Sequence, residues 1–219
     1  MYQDAFNQIA PAWYRLRHRS IMTEELVRLA KRWQSGRLLN LGCAHGADFV
    51  AFKDSFTLTG LDVAPVMADY LHRYSTKFAF QSEFVCADMS ALPLADRSFD
   101  WIIAVASLHH LETAPKRHDA LKEMYRVLRT GGEAFVTVWN KNQKRFIHGP
   151  KEQIIPFEIT DQNGALQKIW RYYYLYDYDE INNSTREAGF KVIDIFAEYS
   201  FSGPPQNSRN ICLLLKKEE

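Results

Sequence analysis

The segment from Arg37 to Asp62 sets the apolar run Leu38-Leu39-Asn40-Leu41 before a turn, Gly42-Cys43-Ala44-His45-Gly46, and then a second apolar run, Leu58-Thr59-Gly60-Leu61, that closes on Asp62. Strand, glycine turn, helix, strand and terminal acid in that order build one half of a parallel α/β sheet with a ligand crevice at the strand ends. Gly42 and Gly46 let the backbone turn sharply and leave no Cβ in a ligand's way. Asp62 is placed to accept both hydroxyls of a ribose. A pocket for an adenosine-containing ligand is expected.

Spacing decides which kind. A dinucleotide turn follows G-x-G-x-x-G, so that a pyrophosphate rests on the helix amino end. Here the turn reads Gly42-Cys43-Ala44-His45-Gly46-Ala47, with alanine at the second and third glycine positions. No phosphate cradle is evident.

Later segments repeat the strand-then-acid pattern. Glu83 to Ser90 reads as a third strand carrying Asp88 near its end, and Trp101 to Val105 as a fourth. A helix from Lys116 to Arg129 is closed by Gly131-Gly132 and leads to a fifth strand, Glu133 to Trp139. After an irregular, polar stretch from Asn140 to Lys168, a helix from Tyr178 to Ala188 ends at Gly189. Strands from Phe190 to Phe196 and from Asn210 to Leu215 complete seven. Tyr172 to Tyr174 read as alternating, half-buried strand residues.

The glycine turn resembles the first motif of class I S-adenosylmethionine methyltransferases, acid-x-G-x-G-x-G, with Asn40 in place of the acid and Ala44 in place of the middle glycine. The resemblance implies an α/β fold, a Rossmann-like seven-stranded sheet with helices on both faces, and S-adenosylmethionine as cofactor. It implies that Asn40, Gly42, Cys43, Ala44 and Gly46 hold the methionine portion and that Asp62 and Val63 hold the ribose. Asp88 would take the adenine amino group, Met89 would pack on the ring, and Ala104 would begin the wall at the methionine end. Asn40 can hydrogen-bond the methionine amino group but forgoes a charge-assisted bond.

With 219 residues, 47% of them apolar, the chain can bury one substantial core, and a single domain is expected, with an extension over 1–34 and an insertion over about 140–171. An insertion of that length is expected to cover a substrate or partner. No run approaches the roughly 20 apolar residues that span a bilayer, and the start lacks a signal-peptide pattern, so a cytoplasmic protein is expected. Cys43, Cys86 and Cys212 are too few and too scattered for a disulfide framework or a zinc cluster, and read as small core residues.

The run Phe6 to Arg19, the segment Leu108-His109-His110-Leu111-Glu112-Thr113 followed by Lys116-Arg117, the triplet Val138-Trp139-Asn140 and the triplet Arg171-Tyr172-Tyr173 resemble the wobble-uridine tRNA carboxymethyl methyltransferases. This resemblance implies methyl transfer to the carboxylate of 5-carboxymethyluridine. His109, His110, Arg117 and Arg17 would position the base and its carboxylate. A carboxylate with a pKa of about 4 is already ionised at neutral pH, so none of them needs to remove a proton. Each also has a structural alternative: the histidines as core or cap residues, Arg117 as solvated charge near a helix start, Arg17 as a partner of the methionine carboxylate.

The partners implied are tRNA and a small zinc-binding activator subunit shared by methyltransferases, with no DNA and no membrane. The activator would pair with the strand at Phe84-Val85-Cys86, where Tyr74, Phe78, Phe80 and Phe84 make a sheet edge unusually aromatic. A net charge of +1 gives no global pull on phosphates. Attraction would come from three clusters: Arg15 to Arg19, Lys116 to His118, and Lys141 to Lys151. The alternatives are a methyltransferase for a small molecule and a non-catalytic cofactor-binding tRNA or assembly subunit.

Overall fold

The computed structural model describes residues 2–160 and 164–218. In chain order, α1 (Tyr2–Leu16) and α2 (Thr23–Trp33) precede β1 (Gly36–Leu41), a short 3-10 helix (Ala47–Ala51), β2 (Phe56–Asp62), α3 (Met67–Phe78), β3 (Glu83–Cys86) and β4 (Phe99–Val105). Then follow α4 (Ala114–Val127), β5 (Leu128–Trp139), β6 (Glu152–Thr160), β7 (Leu166–Tyr174), α5 (Tyr178–Glu187), β8 (Lys191–Ala197) and β9 (Asn210–Lys216).

Seven of these strands form one sheet in the order β3-β2-β1-β4-β5-β9-β8. The first five are parallel, and β9 runs antiparallel to both β5 and β8. Alternation along each strand feeds two cores. Leu39, Leu41 and Leu61 pack with Leu121 and Met124 of α4 and Ile181 of α5, while Leu38 and Leu58 pack with Leu26 and Trp33 of α2 and Leu71 of α3. Helices therefore cover both faces, as the α/β reading expects.

Local chemistry sets the boundaries. α4 begins two residues before the expected Lys116, because Thr113 accepts from the Lys116 amide at 3.4 Å and Pro115 sits in the first turn, where its missing N–H is no loss. Trp33, the last residue of α2, stacks on Trp101 with ring centres 5.0 Å apart and donates to Glu133 at 2.8 Å, which locks that helix to two strands.

The stretch expected to be irregular from Asn140 to Lys168 is in part ordered sheet. β6 and β7 pair antiparallel from Glu152 beside Tyr174 to Thr160 beside Leu166, as a separate two-stranded ribbon. A two-stranded ribbon has a free edge on both sides, so Pro156 fits within it opposite Trp170. Tyr172 to Tyr174 alternate along β7, with Tyr173 buried. α1 packs against this ribbon and against α3, with Ala10 buried beside Ala64 and Met67. Helix and ribbon together roof the carboxyl ends of the central strands.

Cys43 and Cys212 are buried, as expected, whereas Cys86 is exposed because β3 is the edge of the sheet. Tyr74 and Phe80 are buried core residues, so part of the aromatic character near that edge serves packing. Among the described residues no helix is long and apolar enough to cross a membrane.

Candidate active site

At the strand ends lies a cavity of about 390 Å³. One part of its wall comes from the loops after the strands: Gly42 to Ala44, Asp62 and Val63, Ala87 to Met89, and Val105 to Ser107. Gly42 has φ +74°, and a Cβ there would stand 2.4 Å from the Ser107 Cβ, so the turn lies flat on the end of β4 only because it is glycine. Ala44 takes up the left-handed conformation expected of a glycine, with φ +46°. Its amide donates to Asp62 Oδ2 at 2.9 Å, while the Ala64 amide donates to Asp62 Oδ1 at 3.0 Å. The carboxylate is thus aimed by two backbone donors and keeps lone pairs for further hydroxyl donors. Burial pushes its pKa up.

Asp88 lines the cavity and is held by Lys116 at 2.8 Å and by the Ser90 hydroxyl at 2.8 Å. Burial would raise its pKa, but these partners outweigh burial and hold it below its ordinary value. Lys116 is thereby engaged within the protein.

The other part of the wall is aromatic and basic: Trp13 and Arg17 from the end of α1, His109 and His110, Arg145, Phe157, and Arg171 and Tyr173 of β7. The Arg171 guanidinium lies 5.0 Å from the ring centre of Phe157, 5.2 Å from that of Tyr173 and 5.8 Å from that of Trp13. Its Nε is buried without a hydrogen-bond partner. Burial lowers the pKa of Arg171, and Arg17 lowers it further; Arg17 is itself lowered by burial and by Arg209. No carboxylate among the described residues offsets either guanidinium. The cavity wall therefore carries positive charge, buried at Arg171 and half-buried at Arg17, without a carboxylate counter-ion among the described residues.

Both histidines are neutral. His109 Nδ1 accepts from the Trp139 amide at 3.2 Å, which puts the ring proton on Nε2. His110 Nδ1 lies 2.9 Å from the Tyr172 carbonyl, which puts its proton on Nδ1. Burial depresses both, His110 to about 3 and His109 well below its ordinary value, and Arg171 adds to each effect. Tyr173 stacks against His109 with ring centres 5.3 Å apart.

Of the residues expected from sequence, Arg17, His109, His110, Gly42, Cys43, Ala44, Asp62, Val63, Asp88 and Met89 line one cavity. Arg117 does not: it is buried, donates from Nη1 to the Leu111 carbonyl at 3.0 Å and lies over Tyr174, because its position on α4 turns it into the sheet-facing stripe. Asn40, Gly46 and Ala104 stand behind the wall. Asn40 and Ala104 are fully buried, and a Cβ on Gly46 would meet Leu71 at 2.4 Å. Sequence reasoning offers no signal for Asp48, His45 or Phe157 as wall residues, whereas Trp13, Arg145 and Tyr173 fall within the Phe6 to Arg19 run, the Lys141 to Lys151 cluster and the Arg-Tyr-Tyr triplet.

The basic clusters divide. Lys141 donates to the carbonyls of Phe146 and Ile147, and Lys151 is tied to Asp177 and Glu180 at 2.8 and 2.7 Å. Arg15, Arg19 and Lys144 are exposed.

The family described as Methyltransferase domain matches residues 39–136. A protein of Encephalitozoon cuniculi named as a methyltransferase is 30% identical over 162 residues, covering 72% of this chain and 71% of that protein. The mouse tRNA (carboxymethyluridine(34)-5-O)-methyltransferase is 32% identical over 170 residues, covering 72% of this chain but only 24% of the mouse protein. Among solved structures, one from a complex of the Haloferax volcanii Trm112 methyltransferase activator with a methyltransferase superposes with a TM-score of 0.70 at 15% identity, covering 100% of this chain and 98% of that one. At that identity the likeness is one of fold.

Proposed function

The chain belongs to the methyltransferase domain family, and from that premise we propose that it methylates the carboxylate of 5-carboxymethyluridine at the wobble position of tRNA, forming a methyl ester. S-adenosylmethionine is the cofactor. When bound it supplies a methyl group on a positively charged sulfur, open to attack from the side opposite the departing thioether.

The residues present fit it. Asp62, fixed by two backbone amides, receives the ribose hydroxyls, and the backbone of Gly42 to Ala44 lies close enough for the methionine portion because Gly42 has no side chain. Asp88 and the buried Met89 take the adenine.

The observation that carries the substrate reading is the pair at the cavity wall, buried Arg171 and half-buried Arg17, with no carboxylate among the described residues to offset them. A substrate carboxylate supplies the missing charge. Arginines hold one oxygen by directional hydrogen bonds and leave the other free to attack. Neutral His109 donates from Nε2, and neutral His110 presents Nε2 as an acceptor, so the pair can orient a base without charging the site. These side chains would contribute to the rate by fixing the orientation of the substrate carboxylate and excluding water from the cavity.

The identity shared with the mouse tRNA enzyme supports the nucleic-acid substrate, and exposed Arg15, Arg19 and Lys144 supply positive charge around the site. The outer edge of β3 is the docking place proposed for an activator subunit.

The test is to incubate the protein, with and without the activator, with labelled S-adenosylmethionine and tRNA from cells lacking the corresponding enzyme, then digest to nucleosides for mass spectrometry. A methyl ester on 5-carboxymethyluridine is the expected result. Cofactor binding with no labelled nucleoside would move the reading to a small-molecule substrate or to a non-catalytic cofactor-binding subunit, and no cofactor binding would overturn the cofactor reading itself.

A further inference from the structure

Asn40 occupies the position at which the first methyltransferase motif carries an acid, so the α-ammonium of the cofactor's methionine moiety lacks that carboxylate. Asn40 is fully buried and lies behind the cavity wall. Another carboxylate stands beside it. Asp48 is the second residue of the 3-10 helix that follows the turn, lines the cavity, and has its Oδ2 3.5 Å from Asn40 Nδ2. The Asn40 amide donates to the Asp48 carboxyl, the Ser20 hydroxyl also favours its charged form, both groups are neutral, and no cation among the described residues acts on it. Tyr74 and Cys43, which also feel its charge, are neutral as well. A half-buried carboxylate at a cavity wall with only neutral donors around it is a site for a ligand cation.

We propose that Asp48 binds the α-ammonium of S-adenosylmethionine, the acid having moved from position 40 to position 48. The inference rests on the cofactor reading above. It makes sense of both residues together. Were position 40 an acid, two carboxylates would face each other across that gap and one would be forced to take up a proton. An amide at position 40 instead donates to Asp48 and helps hold it ionised.

The test is calorimetric binding of S-adenosylmethionine and of 5′-methylthioadenosine, which keeps the nucleoside but lacks the amino acid portion. Asp48→Asn is expected to weaken S-adenosylmethionine by about tenfold or more while leaving methylthioadenosine within about twofold. The double variant Asn40→Asp with Asp48→Asn, which returns the acid to its usual place, is expected to regain most of the loss. The wild-type chain offers an independent measurement: an analogue with hydrogen in place of the α-amino group should bind about tenfold more weakly. Equal affinity of wild type and Asp48→Asn for S-adenosylmethionine, equal loss of both compounds, or indifference of the wild type to the amino group would each overturn the proposal. A wild-type chain that binds neither compound would instead overturn the cofactor reading on which it rests.

Discussion

The Arg117 guanidinium lies 3.7 Å from the ring centre of Tyr174, tying α4 to the outer ribbon, while its Nη1 donates to the Leu111 carbonyl. A buried cation stacked on an aromatic face and bonded to backbone acts as a strut. Arg117→Ala is therefore expected to cost about 2 kcal/mol of stability, visible as a melting point lower by several degrees. Below that temperature, kcat/KM should stay within a few-fold of wild type. An unchanged melting point with activity lost would return Arg117 to the reaction.

Arg171 should behave in the opposite way. Its side chain sits among Trp13, Phe157 and Tyr173 at the cavity wall without a protein counter-ion. Removing a buried charge that lacks a partner relieves desolvation, so Arg171→Met is expected to hold or raise the melting point. The same change should lower kcat/KM for the carboxylate substrate by about 100-fold, and Arg171→Lys should recover little of it, since an ammonium lacks the planar fork. Full recovery by lysine would show that only charge is needed there.

These two arginines mark where reading the sequence succeeds and where it stops. The turn at Gly42, the acid at Asp62 and the strand ends at Asp88 and Val105 were legible because glycine punctuation and apolar runs are properties of neighbouring residues. The direction of Arg117 depends on the phase of α4 set by the Thr113 cap, three residues before the position where the helix was expected to start. Arg171 and Tyr173 reach the cavity through the register of a ribbon whose first strand is interrupted by Pro156 and carries Glu152 and Glu158, which masks its alternation. Asp48 meets Asn40 through the fold of a single 3-10 turn, a contact across eight residues that no periodicity announces.

The depressed histidines make stability depend on pH. His110 titrates at about 3 and His45 at about 4 in the folded chain, both lowered first by burial. Unfolded histidines titrate near 6.5, so as pH falls below that value the unfolded chain binds protons that the folded chain refuses. The contribution is complete above about pH 6.5 and is lost progressively on acidification, by about 2 kcal/mol per buried histidine at pH 5. Asp48 and Asp62, pushed upward by burial, act with the opposite sign. The comparison to make is between wild type and His110→Asn: urea melts at pH 7 and pH 5 should differ less in the variant. Equal pH dependence would mean that His110 is not neutral because of burial.

Two neighbouring turn positions should respond oppositely to exchange of glycine and alanine. At Gly42 a Cβ would stand 2.4 Å from that of Ser107, whose hydroxyl donates to the Leu41 carbonyl at 2.7 Å. Gly42→Ala is expected to lose about 2 kcal/mol or more of stability and to abolish measurable cofactor binding. Ala44 already holds φ +46°. Ala44→Gly removes that left-handed strain, partly offset by the glycine's greater freedom when unfolded, and should gain about 0.5 kcal/mol. Calorimetric melts of both variants check the signs.

The free edge of β3 can be tested atom by atom. Strands alternate their hydrogen-bonding sides, and the Ala87 amide donates inward to the Asp62 carbonyl at 3.1 Å. The amide of Val85 therefore faces β2, and those of Phe84 and Cys86 face outward. Cys86 is exposed, so Cys86→Pro removes one outward donor and leaves the pairing to β2 in place. If an activator subunit adds a strand here, Cys86→Pro should weaken that complex by about tenfold or more while the variant alone keeps its cofactor affinity. Cys86→Ser, which keeps the amide, should bind the activator as wild type does. Copurification that survives Cys86→Pro undiminished would place the activator on another surface.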